Sequence, residues 1–178
     1  MYKRQSQIYE AQNQDEKQKA IIEEALTIQK DWKVALLSLG NYYLKQGNVK
    51  EASSYFDKII THHPKESIGY QKKAEIYFKK GDFKNTDLYL NKALQKDTTQ
   101  SSIYLLFGNL AFERGLYDDA YQSYQKAIDK NPSFSEAHWK IAEMHLYKYK
   151  HHLRLKSYLN EAQKIVRKHP NSYLSAKI

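Results

Sequence analysis

The chain has 178 residues, of which 41% are hydrophobic and 13% aromatic, and its formal net charge is +9 at pH 7. This composition is too apolar for a disordered chain, and no apolar run approaches the roughly 18 residues that a membrane span needs. The absence of cysteine excludes disulfides and thiol chemistry. The first residues lack the apolar core of a secretion signal. We therefore expect an intracellular, cytoplasmic protein.

The sequence repeats with a period of 34 residues. Gly47, Gly81 and Gly115 are separated by this interval, and the positions around them repeat as well. Pro64 and Pro132 lie two periods apart. A period of this length is typical of repeat arrays, in which stacked units bury the apolar faces that a single unit would expose.

The predicted elements follow this period along the chain. The sequence predicts one array over residues 1–178, and each unit is expected to be two helices joined by a turn. The units are a degenerate N-terminal repeat (1–32), three regular repeats (33–66, 67–100 and 101–134), an irregular repeat with a basic turn (135–169), and a terminal cap helix or the start of a further repeat (170–178).

The apolar spacing within the unit at 101–134 is that of two amphipathic helices. Gly115 suits a left-handed residue that ends the first helix. Asp118 and Asp119 favour the start of the second helix through capping and the helix dipole, and Pro132 ends it. We expect the two helices to approach closely at small residues, namely Gly108, Ala111, Ala120 and Ala127.

At these positions the chain resembles the tetratricopeptide repeat family. The unit at 33–66 matches the family pattern with Leu36, Leu39, Gly40, Tyr43, Ala52, Phe56, Ile59 and Pro64. The unit at 101–134 matches it with Tyr104, Phe107, Gly108, Ala111, Ala120, Tyr124, Ala127 and Pro132. The unit between them departs from it at Lys73, Thr86 and Thr98. The resemblance implies an all-α fold, a right-handed superhelical solenoid of antiparallel helix hairpins.

The resemblance also implies where a partner binds, because side chains at set positions of each first helix line a concave groove in this family. In this chain they are Leu37, Asn41, Leu44, Gln71, Glu75, Phe78, Leu105, Asn109, Phe112, Trp139, Glu143, Leu146 and Tyr147. A protein segment with apolar anchors would suit this surface. The open alternative is that several of these residues pack against neighbouring helices. The prediction is a non-catalytic interaction scaffold or subunit of a larger complex, without a cofactor.

The basic C-terminal end supports a second interpretation. Residues 145–178 hold eight Lys/Arg against Glu161 alone, whereas residues 1–144 hold 21 Lys/Arg against 19 Asp/Glu. A helical-repeat protein that binds RNA or another polyanion is therefore the alternative. Its candidate contacts are Lys148, Lys150, Arg154 and Lys156. Self-association through incomplete terminal repeats is a third possibility.

Sharper chemical signals are weak in this sequence. Of the carboxylate clamp found in chaperone-binding members of the family, only Asn41 fits. The seven histidines include no Cys/His spacing typical of a zinc site, and His138 and His145 are interpreted as packing residues. No set of nucleophile, base and orienting group can be assembled. We therefore expect neither a metal site nor catalysis.

Overall fold

The computed structural model describes residues 15–144 and five later residues, which are Ser157, Asn160, Gln163, Lys164 and Arg167. Within these residues the chain is all-α and contains no strand. Its helices, in chain order, are α1 (Asp15–Ile28), α2 (Lys33–Lys45), α3 (Val49–His62), α4 (Ile68–Lys79), α5 (Phe83–Lys96), α6 (Ser101–Glu113), α7 (Tyr117–Lys130) and α8 (Ser135–Met144).

The chain divides into two compact units, Met1–Lys96 and Asp97–Ile178. The first unit contains α1 to α5, and the second contains α6 to α8. The helices α2 and α3 lie within the predicted repeat at 33–66, and α6 and α7 lie within that at 101–134. The repeat boundaries at the two ends of the chain stay predictions, because 1–14 and most of 145–178 lie outside the described residues.

The turns inside the hairpins are built on glycine. Gly47, Gly81 and Gly115 have φ angles of 75°, 73° and 74°, in the left-handed region that glycine adopts without a steric cost. The left-handed conformation predicted for Gly115 is confirmed. The capping prediction for Asp118 and Asp119 is wrong. These residues lie in the first turn of α7, where their charge favours the helix dipole, and the N-cap is a leucine without a side-chain capping bond.

The first unit is held together where α2, α3 and α4 meet. Its main cluster, called the first-unit core here, consists of Leu36, Ala52, Phe56, Ile59 and Ile76, all of them buried. A smaller cluster joins α1 to α2 through Ile22, Ala35 and Leu39. Burial of apolar surface, at about 25 cal/mol per Å², stabilises such contacts both within a hairpin and between neighbouring hairpins.

The second unit has its own cluster, formed by α6, α7 and α8. This second-unit core consists of Leu105, Ala120, Tyr124, Ala127, Ala137, Ile141 and Met144. Gly108 on α6 lies under the ring of Tyr124 on α7, because a Cβ added at Gly108 would stand 2.3 Å from Tyr124 Cε1. The close approach predicted at Gly108 is therefore confirmed.

Two departures from the family pattern are buried in the first unit. Lys73 on α4 is 7% exposed, and its ammonium donates to Ser53 Oγ at 2.8 Å and to Asp57 Oδ2 at 3.0 Å, both on α3. Thr86 is fully buried and donates its hydroxyl hydrogen to the carbonyl of Asp82 at 2.8 Å. Each polar group thus has a hydrogen-bond partner, which offsets the cost of its burial.

Candidate partner-binding faces

In the first unit, the predicted groove residues on α2 form one stripe. Leu37, Asn41 and Leu44 are spaced i, i+4 and i+7, so their side chains lie on one face of the helix. Leu37 and Leu44 are half-buried and pack against the first-unit core. Asn41 lies between them and is exposed. The stripe therefore presents an amide flanked by two partly covered apolar side chains.

In the corresponding stripe on α4, the polar side chains bond to one another or to a neighbour on the same helix. Gln71 is buried, and its Nε2 donates to Glu75 Oε1 at 3.1 Å. The Lys72 ammonium lies 2.7 Å from the other carboxylate oxygen of Glu75. Phe78 is half-buried, with its ring centroid 6.2 Å from that of Phe83 on α5. In this stripe Phe78 is the apolar side chain that remains partly accessible to a partner.

In the second unit, the α6 stripe is deeper. Leu105 is only 5% exposed and belongs to the second-unit core. Asn109 is half-buried, and its Oδ1 accepts a hydrogen bond of 2.9 Å from the Tyr124 hydroxyl. Phe112 packs against the same core and meets Tyr117 edge to face at a centroid separation of 5.4 Å. The open alternative, packing between helices, describes Leu105 and in part Phe112.

The α8 stripe contributes Trp139 and Glu143. Trp139 is half-buried, yet it is not among the side chains that pack against the second-unit core. Within the described residues, no group accepts a hydrogen bond from its indole N–H. Glu143 Oε2 lies 2.8 Å from the Lys140 ammonium one turn earlier. Trp139 is therefore a partly accessible aromatic side chain that lies outside the second-unit core.

The electrostatics of this face are set by carboxylates around Tyr124. Burial raises the pKa of the Tyr124 hydroxyl well above its usual range, and the nearby charges of Glu143, Glu113 and Glu136 raise it further. The phenol therefore stays protonated and keeps donating to Asn109. Three carboxylates thus act on the Tyr124 hydroxyl, and that of Glu143 is paired with the Lys140 ammonium.

Several predicted site residues lie outside the described residues. They are Leu146 and Tyr147 of the groove and the polyanion candidates Lys148, Lys150, Arg154 and Lys156. Farther along, Lys164 and Arg167 are helical and exposed. The polyanion interpretation therefore stays a prediction.

Histidine and carboxylate groups form no metal-binding cluster in the described part of the chain. His138 is 7% exposed, and its Nε2 donates to the Pro132 carbonyl at 3.0 Å, as expected of a packing residue. The Nε2 of His63 donates to the Asp31 carbonyl at 2.6 Å and so ties the α3 end to the α1–α2 loop. Among the described helices, none is long and apolar enough to cross a membrane.

A cleft that the sequence did not reveal lies between α1 and α3. Its volume is about 430 Å³, and its lining includes none of the predicted groove residues. The lining residues are Glu23, Leu26, Thr27, Lys30, Leu36, Tyr55, Lys58 and His62. Most of them belong to two helices that are one 34-residue period apart in the sequence. The sequence could therefore have indicated that these two helices are neighbours. The family pattern, however, directs attention to the first helix of each unit.

The fold and the repeat pattern are matched by known proteins. A family model described as TPR repeat matches residues 108–146, and two described as tetratricopeptide repeat match residues 34–66 and residues 1–31 with 69–97. No curated protein sequence matches the chain.

Solved structures of the same fold cover almost the whole chain. A thermophilic TPR protein of Thermus thermophilus, TTC0263, has a TM-score of 0.76 and 21% identity over 95% of this chain and 90% of its own. MamA of Desulfovibrio magneticus RS-1 has a TM-score of 0.68 and 19% identity over 96% of both chains. YrrB, a TPR protein with an unusual peptide-binding site, has a TM-score of 0.58 and 19% identity over 99% of this chain and 91% of its own.

These identities are too low to carry more than the fold, and the fold is the one that the sequence predicted. The all-α solenoid of helix hairpins is confirmed by the helices and by these structural neighbours. The repeat models, which match in each predicted unit from the first to the irregular one, show in addition where the pattern lies. The chain belongs to the tetratricopeptide repeat family.

Proposed function

We propose that this protein is a non-catalytic interaction scaffold that holds a segment of a partner protein against its first-helix faces. We use the term first-helix faces for the stripes described above. Those of α2 and α4 lie in the first unit, and those of α6 and α8 lie in the second unit. Members of this family bind protein or peptide partners, which is the general support for the proposal. The observation that carries it is the state of Trp139 and Asn109 in the second unit.

Trp139 has the properties of an interface anchor. Its large ring is half-buried without belonging to the second-unit core, and within the described residues its indole N–H has no acceptor. Tryptophan is enriched among the residues that dominate binding energy, since it combines a large apolar surface with one donor. A partner that covers the ring and accepts from the indole would satisfy both.

Asn109 supplies orientation. Its oxygen is fixed by the Tyr124 hydroxyl at 2.9 Å, and that bond comes from the second helix of the same hairpin. The amide is therefore held in one rotamer with its nitrogen still able to donate, so a partner carbonyl could bind it without ordering the side chain first. In the first unit Asn41 stands at the equivalent position, is exposed, and lies between Leu37 and Leu44.

The chemistry of the partner segment follows from these groups. On the second unit, apolar side chains of a partner would cover Trp139 and the accessible part of Phe112; on the first unit, they would cover Phe78. Backbone carbonyls would accept from the amides at Asn41 and Asn109. Carboxylates near Tyr124 favour a segment with basic side chains at the second unit. An extended or helical segment with spaced apolar anchors meets these requirements.

The first test is a substitution at Trp139. Peptides selected from a random display library on the full chain are retested on Trp139→Asp, which removes the ring and adds a negative charge. We expect the affinity of the selected peptides to fall at least tenfold, because loss of one anchor costs about 2 kcal/mol or more. Isothermal titration calorimetry measures the affinity, and circular dichroism checks that the helices remain.

The matched control is Leu116→Asp, which adds the same charge at a side chain that is 49% exposed at the N-cap of α7, where aspartate is well tolerated. This variant should bind as the unchanged protein does. Phe112→Asp is less suitable, since Phe112 packs against the second-unit core and its loss would destabilise the unit. Equal peptide affinity in Trp139→Asp and the unchanged protein would contradict the proposed face.

A further inference from the structure

The cleft between α1 and α3 is lined by one face of each helix. From α1 and the turn after it come Glu23, Leu26, Thr27 and Lys30, which are spaced i, i+3, i+4 and i+7. From α3 come Tyr55, Lys58 and His62, spaced i, i+3 and i+7. Such spacing places Glu23, Leu26 and Thr27 along one side of α1, and the second set along one side of α3, while Lys30 follows in the turn. Leu36 of α2 completes the lining from below.

The floor of the cleft is apolar and fixed in place. Leu36 is 1% exposed and belongs to the first-unit core, against which Leu26 and Tyr55 pack. The ring of Tyr55 stacks on that of Tyr43, with centroids 5.6 Å apart and planes inclined by 10°. A volume of about 430 Å³ lies within the range of ligand-binding clefts. The floor therefore offers a preformed surface for one or two apolar side chains.

The rim of the cleft has an excess of positive charge. The ammonium groups of Lys30 and Lys58 line it beside the His62 imidazole, which is a hydrogen-bonding group, and Glu23 is the acid in the same lining. The Glu23 carboxylate lies 3.8 Å from the Lys19 ammonium, so its charge is already partly balanced. The Lys58 ammonium lies 4.7 Å from the centroid of the Tyr55 ring, and it is therefore held over the floor.

Lys30 follows the carboxyl end of α1, and the negative pole of that helix end balances part of its charge. Such a pole is equivalent to roughly half an elementary charge and acts within the last turn. Lys58 lies a full turn before His62 on α3 and is directed to the Tyr55 ring. The charge of Lys58 is therefore not balanced by a helix end, and a ligand carboxylate could neutralise it.

We propose that the cleft between α1 and α3 binds an acidic peptide segment, with an apolar side chain on the Leu26, Leu36 and Tyr55 floor and a carboxylate among Lys30, Lys58 and His62. This site is separate from the first-helix faces and does not depend on them. Glu23 disfavours a continuous phosphate backbone, and the cationic groups are lysines rather than the guanidinium forks that suit phosphate. A carboxylate carried on a short segment therefore fits the cleft better than a nucleic acid does.

The test uses the full chain and a defined probe. A fluorescein-labelled, end-capped peptide of sequence Gly-Leu-Glu-Phe-Glu-Gly-Ser is titrated by anisotropy, beside a counterpart in which both Glu are Gln. The acidic peptide should bind at least tenfold more tightly than the neutral one, since hydrogen bonds to charged groups are among the stronger ones. In NMR spectra of the full chain, the backbone amide signals of residues 23–30 and 55–62 should shift when the acidic peptide binds.

Two variants locate the binding. Lys30→Gln with Lys58→Gln should weaken the acidic peptide about tenfold, whereas the matched pair Lys50→Gln with Lys126→Gln removes the same charge at exposed positions elsewhere and should not. Thr27→Trp, at an exposed position in the lining, should fill the cleft and abolish binding without lowering the melting temperature.

Four outcomes would overturn the proposal. The first is no binding of the acidic peptide at millimolar concentration, and the second is equally tight binding of the neutral peptide. The third is unchanged binding of the acidic peptide by the Lys30→Gln, Lys58→Gln variant. The fourth is displacement of the peptide by oligouridylate, together with loss of oligouridylate binding in that variant. The last would assign the cleft to nucleic acid. Because Trp139 is not part of the cleft, peptide binding that survives Trp139→Asp separates this site from the first-helix face.

Discussion

At two repeats, a glycine of the first helix lies directly under an aromatic ring of the second. A Cβ added at Gly40 would stand 2.3 Å from Phe56 Cε1, and one added at Gly108 would stand 2.3 Å from Tyr124 Cε1. These distances are far below van der Waals contact, and the rings are buried. The hairpins can therefore close around a large ring only if the facing residue has no side chain.

Replacing Gly108 by alanine should destabilise the second unit by about 2 kcal/mol, since the ring of Tyr124 would have to move out of a close-packed site. Urea unfolding followed by circular dichroism measures the loss. The repeat before it carries Ala74 and Leu90 at the equivalent positions, and both are fully buried.

Because of this pairing, Gly108→Ala should cost much less in a Tyr124→Leu background than in the unchanged protein. The Tyr124→Leu change itself removes the bond to Asn109, so only the difference between the two backgrounds is informative. An equal cost in both would show that Gly108 is needed for a reason other than the ring.

Asp82 gives a residue-scale prediction for pH. Its Oδ1 accepts from the backbone N–H of Asn85 at 3.0 Å, and its Oδ2 accepts from the side-chain amide at 2.6 Å. These bonds, first the side-chain one, hold the pKa of the Asp82 carboxyl below its usual value. A carboxyl with a lowered folded-state pKa stabilises above its unfolded pKa, and this contribution is lost as pH falls through the lowered value.

We therefore expect the free energy of unfolding to decline below about pH 4, and Asp82→Asn to flatten part of that decline because an amide cannot titrate. Parallel urea titrations between pH 2 and pH 6 provide the measurement. A slope that is unchanged in Asp82→Asn would mean that other carboxyls carry the whole effect.

At the scale of elements, Lys73 joins two hairpins of the first unit. It reaches from α4 to Ser53 and Asp57 on α3, and its ammonium lies 5.8 Å from the ring centroids of both Tyr77 and Tyr89. Most units of the family have an apolar residue here. The buried cation is tolerated because acceptors and aromatic rings surround it.

Asp57→Ala should lower the free energy of unfolding by about 1.5 kcal/mol, because it leaves a buried ammonium without its carboxylate. Lys73→Leu should change that energy by less, since it removes the charge and restores an apolar residue of similar size. Equilibrium unfolding of the two variants in urea compares them. A larger loss in Lys73→Leu than in Asp57→Ala would contradict this account of the pair.

Many of the helix ends and turns could be predicted from the sequence because the sequence repeats. The turns at Gly47, Gly81 and Gly115 and the helix ends before Pro64 and Pro132 follow from residue types with strong local preferences. The partners of Lys73 could not be predicted, because they lie on another helix and have no periodic counterpart. The pattern identified Lys73 only as a departure.

The candidate site on the first-helix faces could likewise be predicted in part only. The spacing of the stripes on α2, α4, α6 and α8 follows from the period, but the depth of each side chain does not. Leu105 occupies the same repeat position as Leu37 and Trp139, yet it lies in the second-unit core, whereas the other two are half-buried. Burial depends on the size of the facing residues, which a single repeat does not specify.

For the whole molecule, charge separates the surfaces that we propose. The chain carries +9 overall, but the second-unit face holds Glu113, Glu136 and Glu143 near Tyr124, and the first-unit cleft holds Lys30, Lys58 and His62. Net charge alone would not have distinguished them. Under the two proposals, the second-unit face favours a segment with basic side chains and the cleft favours an acidic one, so each surface would bind a different segment.

The central claim is that a partner segment lies on the first-helix faces, and site-specific photo-crosslinking tests it most directly. A benzophenone amino acid is placed at Asn41 on α2 or at Trp139 on α8, and for comparison at Gln122, an exposed position on α7. Peptides selected on the unchanged full chain are then irradiated with each variant. We predict crosslinks from Asn41 or Trp139 and none from Gln122. Crosslinks from Gln122 with none from the other two positions would contradict the account.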